Sequence, residues 1–385
     1  MRQYFLPFIP CLTLKPTDDL KIPLRNDETI LPAPLHTLEN QLVSPSNHEI
    51  FLECITLIDG TLPKIKPTVD PSYNVSPSLH ILECDVEKYL NFSEPPFSTV
   101  ANIITHHLRF PNSLLYQIDD NDFENISNKL IFKAMDLSRT LDIPQYRIKL
   151  NEQPLYDGHK IYLPHTPPII AISKPELIEK NQFWQYLLHE PQTIVDLSDS
   201  RDNYAPTSSH DFLLQNINHE KIQLKSESRI FINPKALGSS LHQTLELTSD
   251  ISPTNTIDRI HFNKWSDFGI ISVKALQNLA KETIKIAHNK YEGQLIVHCR
   301  GGIGRTGTFL TYLSVREQIK YRLKNNMTVS GSEIVRLISI TNVLGKLYRD
   351  IYFIETKEQL GLVFNAVIND VLTNKEILKK EVSLN

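Results

Sequence analysis

Cysteine and glycine are both scarce in this chain of 385 residues, which contains only 4 cysteines and 12 glycines. The cysteines lie at positions 11, 54, 84 and 299, without a Cys-x-x-Cys pair or the ligand spacing of a metal site. This usage argues against a disulfide scaffold and against a bound metal. Long apolar runs are also missing, because no window approaches the roughly 18 apolar residues that a membrane-spanning helix needs.

An excess of positive charge is absent as well. Lysine and arginine number 40 against 44 aspartates and glutamates, which gives a net charge of −4. This balance does not favour nucleic acid as a partner. The segment Met1 to Leu12 carries one positive charge and is broken by Pro7 and Pro10, so it makes a poor secretion signal. We therefore expect a protein with no integral membrane segment.

The few glycines are concentrated in one loop. Four of them fall within seven residues of the stretch His298-Cys299-Arg300-Gly301-Gly302-Ile303-Gly304-Arg305-Thr306-Gly307. An apolar, strand-like run at 295–297 precedes this loop, and a helix-like stretch at 308–315 follows it. A strand, a tight loop and a helix N-terminus aim backbone N–H groups and a positive dipole end at an anion. The pattern therefore predicts a phosphate site.

The two reactive side chains of this loop, Cys299 and Arg305, predict its chemistry. The field of the helix N-terminus and the neighbouring guanidinium favour the thiolate form of Cys299, which is then placed to attack phosphorus. Arg305 is placed to hold two phosphate oxygens and to stabilise the charge of the transition state. Residues 302–307 also fit the dinucleotide pattern Gly-x-Gly-x-x-Gly, but residues 321–327 are basic and polar where that motif requires a second strand.

These residues resemble the signature loop of the protein tyrosine phosphatases, in the form found in animal enzymes and in secreted effectors of bacterial pathogens. Gly301 stands where that family usually has alanine. The resemblance implies that Cys299 is the nucleophile, that His298 helps to set its ionisation, and that Thr306 hydrogen-bonds the sulfur as it leaves. It also implies that the phosphate is bound by Arg305 and by the loop residues Arg300, Gly301, Gly302, Ile303 and Gly304.

The general acid that such a phosphatase needs is expected on a mobile loop after another strand. Residues 257–262 alternate in strand fashion and lead into Trp265-Ser266-Asp267-Phe268. This stretch resembles the family's Trp-Pro-Asp loop, with serine in place of proline. Asp267 is then the acid, Trp265 the hinge anchor and Phe268 a wall against the substrate ring. The serine is expected to free the local backbone, so that loop closure becomes slower or less complete.

Two further segments resemble family loops and differ from them. Residues 354–360 resemble a Gln-Thr-x-x-Gln loop that positions the hydrolytic water, in which Gln359 is the second glutamine and Glu355 replaces the first. A carboxylate at Glu355 would repel the phosphoenzyme or act as a base; as an alternative, it is a plain surface charge. Residues 138–143 match the substrate-recognition loop, and Thr140 takes the position of a tyrosine that stacks on the substrate ring.

The resemblance implies a protein-tyrosine phosphatase that hydrolyses phosphotyrosine in proteins through a cysteinyl-phosphate, without a metal or cofactor. Two alternatives stay open. One is a phosphatase of broader range, acting on phosphoserine/threonine or phosphoinositides, which Thr140 favours. The other is a protein that binds phosphotyrosine without turnover, which Glu355 favours. A catalytic thiolate requires a reducing compartment, so we expect a cytosol, either the cell's own or that of a host into which an effector is delivered.

The match covers about residues 120 to 372 and predicts an α/β domain at 119–375, a mixed central sheet flanked by helices, followed by a tail at 376–385. Apolar spacing of three and four residues predicts helices over 121–141, 273–287 and 334–343. Residues 1–118 hold 14 of the 24 prolines and one glycine, with strand-like pieces at 50–55 and 80–84. They predict a smaller, β-rich accessory domain, which is a candidate for binding a targeting partner or chaperone.

Overall fold

The structure is a computed structural model that describes residues 77–111, 118–140, 147–150, 153–175, 180–188, 192–198, 212–215, 221–231, 240–249, 254–289 and 294–383. The helices within these ranges are α1 Pro77–Tyr89, α2 Phe97–Arg109, α3 Asp120–Thr140, α4 Lys180–Leu187, α5 Val273–Asn289, α6 Gly304–Lys324, α7 Gly331–Tyr348 and α8 Lys357–Ser383. The strands are β1 Arg147–Leu150, β2 Gln153–Ile161, β3 Ile169–Ser173, β4 Gln192–Asp196, β5 Phe212–Gln215, β6 Lys221–Phe231, β7 Ser240–Ser249, β8 Asn255–Phe262 and β9 Gln294–Cys299.

The nine strands form one mixed sheet in the order β1-β2-β3-β9-β4-β8-β7-β6-β5. The pairs β3/β9, β9/β4 and β4/β8 are parallel, and the outer pairs are antiparallel. The carboxyl ends of the four parallel strands therefore meet at one edge, where open α/β sheets bind their ligands. The predicted mixed central sheet flanked by helices is confirmed.

Strand β9 is buried on both of its faces. Val297 belongs to the larger hydrophobic core and Ile296 to a smaller one that includes Phe183 and Trp184 of α4. Because successive side chains of a strand point to opposite faces, the two cores lie on opposite sides of the sheet. Burial on both sides explains why the strand reads as an unbroken apolar run rather than an alternating one.

The three helices predicted from apolar spacing are present. They correspond to α3, α5 and α7. In α3 the buried residues are those of the predicted apolar face: Phe123, Ile126, Leu130, Ala134 and Leu137. The amide of Ala275 donates to the hydroxyl of Ser272 over 3.2 Å, which caps the start of α5.

The strand predicted at 80–84 was wrong, because these residues lie within helix α1. Proline is well suited to the first position of a helix, and Pro77 occupies that position here. Leu82, Val86 and Leu90 follow at four-residue spacing and pack into the core. The helical period therefore outweighs the proline content that favoured a β-rich segment.

The boundary predicted at residue 118 does not coincide with a division in the structure. A compact unit spans Val69–Asn385, and the larger core contains Phe97 and Ile104 of α2 together with Ile338 of α7. Helices α1 and α2 therefore belong to the body of the α/β fold. The predicted tail at 376–385 is also revised, since α8 continues to Ser383. The strand-like piece at 50–55 lies outside the described residues.

The described helices include none that combines the length and the apolar character needed to cross a membrane.

Candidate active site

The predicted nucleophile lies at the carboxyl edge of the sheet, in its parallel centre. Cys299 is the last residue of β9 and is 3% exposed. Five residues later, Gly304 begins α6, a helix of 21 residues. The amide of Gly307 donates to the carbonyl of Ile303 over 2.6 Å, which closes the first turn of this helix. The remaining N–H groups of a helix start have no partner within the helix, so this arrangement can bind an anion.

Gly302 is a position of this loop where the backbone conformation itself requires glycine. Its φ is +65°, and any Cβ atom there would collide with the backbone of Ile172 in the neighbouring strand β3. At Gly301, by contrast, a Cβ atom would meet only Ile303 Cδ1 at 3.8 Å. Alanine, which the family usually carries in place of Gly301, would therefore fit there.

Arg305 joins the cysteine loop to the predicted acid loop. Its side chain is buried, and Nη1 donates to the carbonyl oxygen of Trp265 over 2.7 Å. Its Nη2 donates to the carboxylate of Asp267. Arg300 also lies near this carboxylate, at 3.9 Å, but its side chain remains largely in solvent. The predicted nucleophile, phosphate ligand and acid are therefore brought to one place.

The acid loop is held by hydrogen bonds at the position where the family has proline. Trp265 is buried and its indole nitrogen donates to the carbonyl of Gly269 over 2.8 Å. The amide of Gly269 donates in turn to the carbonyl of Ser266 over 3.2 Å. Phe268 has a φ of 57° and is an exposed residue, 66% accessible to solvent. An exposed ring next to the acid can contact an aromatic substrate.

The two residues predicted to affect the second step also lie at the loop. Gln359 is buried; its amide oxygen accepts from the Glu355 backbone over 3.1 Å, and its amide nitrogen donates to the carbonyl of Gly269 over 3.4 Å. The Glu355 carboxylate accepts a hydrogen bond from the backbone of Gly304. A negative charge thus faces the helix N-terminus that would bind phosphate.

Partial burial raises the pKa of Glu355. The hydrogen bond from Gly304 and the nearby Arg305 oppose this rise, whereas the negative charge of Asp267 adds to it. The carboxylate therefore takes up a proton at a higher pH than an ordinary glutamate does.

Thr306 and His298 are both fully buried. The Thr306 hydroxyl has no hydrogen-bond partner among the described residues. The Nδ1 atom of His298 lies 3.7 Å from the carboxylate of Asp196. Burial lowers the pKa of His298 to about 4; Asp196 opposes this effect and Arg259 adds to it. His298 is therefore neutral at neutral pH.

Thr140 is the predicted site residue that the structure does not bring to the cysteine loop. It is the last residue of α3, and its hydroxyl donates to the carbonyl of Leu137 over 3.1 Å within the same helix. Among the described residues, the hydrogen bonds of its hydroxyl go only to backbone carbonyls of α3. Residues 141–146, which complete the predicted recognition loop, lie outside the described ranges.

The sequence analysis missed Arg349, which follows α7 and contacts the backbone of the cysteine loop. This side chain is 4% exposed and its Nη2 donates to the carbonyl of Gly302 over 3.2 Å. Its Nη1 donates to the carbonyl oxygens of Asp157, over 2.5 Å, and of Ala171, over 3.2 Å. In the sequence, Arg349 appears only as a positive charge just after an apolar, helix-like stretch. Within the described ranges, no cluster of His, Cys, Asp and Glu is arranged to hold a metal ion.

Comparisons with known proteins agree with this geometry. The sequence model of the protein-tyrosine phosphatase family matches residues 138–368, which is more than half of the chain. The human receptor-type tyrosine-protein phosphatase alpha is 40% identical over 60 residues, which is 15% of this chain and 7% of that protein. The human receptor-type tyrosine-protein phosphatase eta is 25% identical over 129 residues, 32% of this chain and 9% of that protein. The chain thus spans less than a tenth of either relative.

A solved structure shows the same fold. The protein tyrosine phosphatase TcPTP1 of Trypanosoma cruzi superposes with a TM-score of 0.50 at 15% identity, over 66% of this chain and 94% of that chain.

Proposed function

The chain belongs to the protein-tyrosine phosphatase family, and on this premise we propose that it hydrolyses phosphotyrosine in proteins through a cysteinyl-phosphate intermediate. The observation that carries the proposal is the contact of Arg305 with Asp267. This contact joins a buried cysteine at a helix N-terminus to a carboxylic acid on a separate loop. A nucleophile, an anion site and an acid in one place are the groups that phosphate monoester hydrolysis requires.

Binding begins with the phosphate at the N-terminus of α6. The backbone N–H groups of residues 300–305 and the guanidinium of Arg305 take the phosphate oxygens. Arg305 is already oriented by the Trp265 carbonyl, so its second amino group, which contacts Asp267, can take a phosphate oxygen in place of that carboxylate without a large movement of the side chain. The exposed ring of Phe268 packs against the phenyl ring of the substrate.

In the first step the sulfur of Cys299 attacks phosphorus with an electron pair and forms an S–P bond. The bond between phosphorus and the tyrosyl oxygen breaks, and its electron pair goes to that oxygen. Asp267 delivers a proton to the oxygen, so that tyrosine leaves as a neutral phenol. Arg305 stabilises the charge of the transition state.

In the second step a water molecule attacks phosphorus and gives a proton to the carboxylate that Asp267 has become. The S–P bond breaks and its electron pair returns to the sulfur of Cys299. We infer that Thr306 donates to that sulfur, because its hydroxyl is buried and has no hydrogen-bond partner among the described residues. Gln359 contacts both the acid loop and Glu355, so it is positioned to orient the water between them.

The test replaces the nucleophile. Cys299→Ser should abolish turnover of a phosphotyrosine peptide while leaving its binding intact, because a serine hydroxyl in this loop stays protonated. Cys84→Ser is the matched control, since Cys84 is an exposed cysteine on α1. Phosphate release by Cys299→Ser above about 1% of the wild-type rate would contradict a covalent cysteine mechanism.

The second candidate function is phosphotyrosine binding without turnover. It is favoured by the Glu355 carboxylate, which occupies the N–H of Gly304 and would oppose a phosphoryl group on Cys299. The wild-type protein should therefore be assayed on phosphotyrosine, phosphothreonine and phosphoinositide substrates. Stable binding of the phosphopeptide without phosphate release would support this candidate. Comparable release from all three substrates would instead support a phosphatase of broader range.

A further inference from the structure

A buried row of polar side chains crosses the sheet directly behind the cysteine loop. Asp196 in β4 is the register partner of His298 in β9 and of His261 in β8. Arg259 lies two residues before His261 and therefore points to the same face. Asp196, His298 and Arg259 are fully buried, and His261 is 5% exposed. Cys299 belongs to the larger core, so its side chain points to the opposite face.

Asp196 is satisfied mainly by partners other than His298. Its Oδ2 accepts from Nη2 of Arg259 in an ion pair with no exposed surface on either side chain. Its Oδ1 accepts from the amide of Ser198 over 2.9 Å and from the Ser198 hydroxyl over 2.5 Å. Arg259 is itself held by Gln243, to whose amide oxygen Nη1 donates over 2.5 Å. The carboxylate therefore has a cation and two donors before the imidazole contributes.

We propose that Asp196 and Arg259 are positioning residues for the nucleophile, and that their ion pair keeps His298 in its neutral form. The guanidinium neutralises the Asp196 carboxylate beside the imidazole, so that the imidazole gains little from taking up a proton. This inference rests on the proposed role of Cys299 as the nucleophile.

The charges around His298 support this assignment. Strong effects on His298 come from Asp196 in β4, from Arg259 and His261 in β8, and from the backbone of Cys299. Asp196 alone would favour an imidazolium, whereas Arg259, His261 and burial all favour the neutral ring. Asp196 stays ionised, since the guanidinium of Arg259 and the hydrogen bond from Ser198 hold its pKa below its ordinary range against the effect of burial.

The imidazole is linked directly to the cysteine loop. Its hydrogen bond with the backbone of Cys299 joins the ring to the residue that carries the thiol. A positive charge on this ring would favour the thiolate, as a neighbouring cation does for any cysteine. The Asp196–Arg259 pair therefore keeps the imidazole beside Cys299 from becoming a cation. The thiolate is then stabilised by the helix N-terminus and by Arg305.

The test measures alkylation of Cys299 by iodoacetamide as a function of pH in the full-length chain. Arg259→Gln leaves Asp196 without its cation, so His298 should take up a proton and the alkylation curve should move about 1 pH unit to lower pH. Arg259→Lys keeps the cation and should leave the curve in place. The double variant Asp196→Asn/Arg259→Gln removes both charges and should return the curve to that of the wild type.

Two results would overturn the proposal: an unmoved curve in folded Arg259→Gln, or the same shift in the double variant. If Arg259→Gln does not fold, the wild-type protein still provides a test by NMR of its imidazole signals. The signal of His298 is identified as the one that is lost in His298→Asn. The His298 signal should not titrate between about pH 5 and 8, and a titration there would refute the assignment. Alkylation and NMR need no phosphatase turnover, so failure of the proposed function would be recognised separately.

Discussion

Replacing Glu355 by glutamine should raise turnover, because the substitution removes a negative charge from the phosphate site. The carboxylate accepts a hydrogen bond from the backbone of Gly304, the first residue of α6. A phosphoryl group on Cys299 would use the same helix N-terminus. Glutamine, the usual residue of the family here, keeps the shape and can orient water without adding charge next to a dianion.

The size of the effect follows from the distance and the exposure. A phosphoryl oxygen bound at this helix start would lie roughly 4 Å from the carboxylate, where two unit charges in water repel by about 1 kcal/mol. Glu355 is only partly buried and much of the residue stays in solvent, so a dielectric close to that of water and screening by salt apply. A dianion doubles the repulsion and screening reduces it, which leaves about 1 kcal/mol, or roughly five-fold in a rate or binding constant.

The assay is pre-steady-state hydrolysis of an aryl phosphate followed by the release of phenol. Glu355→Gln should raise steady-state turnover roughly five-fold and shrink the burst, while the burst rate stays nearly unchanged. Inhibition by inorganic phosphate should strengthen by a similar factor. Because the pKa of Glu355 is raised, the carboxylate loses its charge at a higher pH than an ordinary glutamate does. The turnover of the variant and that of the wild type should therefore be similar at acidic pH and differ most at neutral pH and above.

Two other outcomes would refute this reasoning. A lower turnover with a larger burst would identify Glu355 as a base that activates the water. No change in turnover, burst or phosphate inhibition would return the residue to an ordinary surface charge.

Two further predictions concern the acid and the loop backbone. Asp267→Ala should lower turnover by about 10²–10⁴-fold on substrates with poor leaving groups and far less on acidic aryl phosphates; equal losses across leaving groups would mean that Asp267 is structural. Gly302→Ala should destabilise the fold by about 1–3 kcal/mol in thermal unfolding, because of its positive φ and its contact with Ile172. Gly301→Ala, whose methyl group meets only Ile303, should stay within about 0.5 kcal/mol of the wild type, and equal effects of the two substitutions would contradict this account.

Local patterns were enough to predict the elements that carry the site. The run at 295–297 lies in a strand buried on both faces, and the stretch at 308–315 lies in the helix whose start forms the anion site. Both predictions depend on short-range patterns, because the apolar period and the spacing of the glycines can each be read from a few neighbouring residues. The segment at 80–84 was misread because four-residue apolar spacing, visible only over 82–90, competes there with frequent prolines.

Long-range pairing could not be predicted in this way. Asp196 and Arg259 lie 63 residues apart, and each appears in the sequence only as a charge within an apolar strand. Their pairing depends on β4 and β8 being neighbours in the sheet, which no local period encodes. Arg349 is a similar case, since its target is the carbonyl of Gly302, 47 residues away.

The contact between Arg305 and Asp267 also bears on how the acid reaches its substrate. The guanidinium satisfies the carboxylate through one amino group, and its other amino group donates to the Trp265 carbonyl. We expect an arriving phosphate dianion, with two negative charges against one, to displace Asp267 from Arg305 while the Trp265 hydrogen bond stays in place. The carboxyl group would then become available to the leaving oxygen. The hydrogen bonds that Trp265 and Ser266 make with Arg305 and Gly269 restrain this loop, which opposes the backbone freedom expected from serine in place of proline.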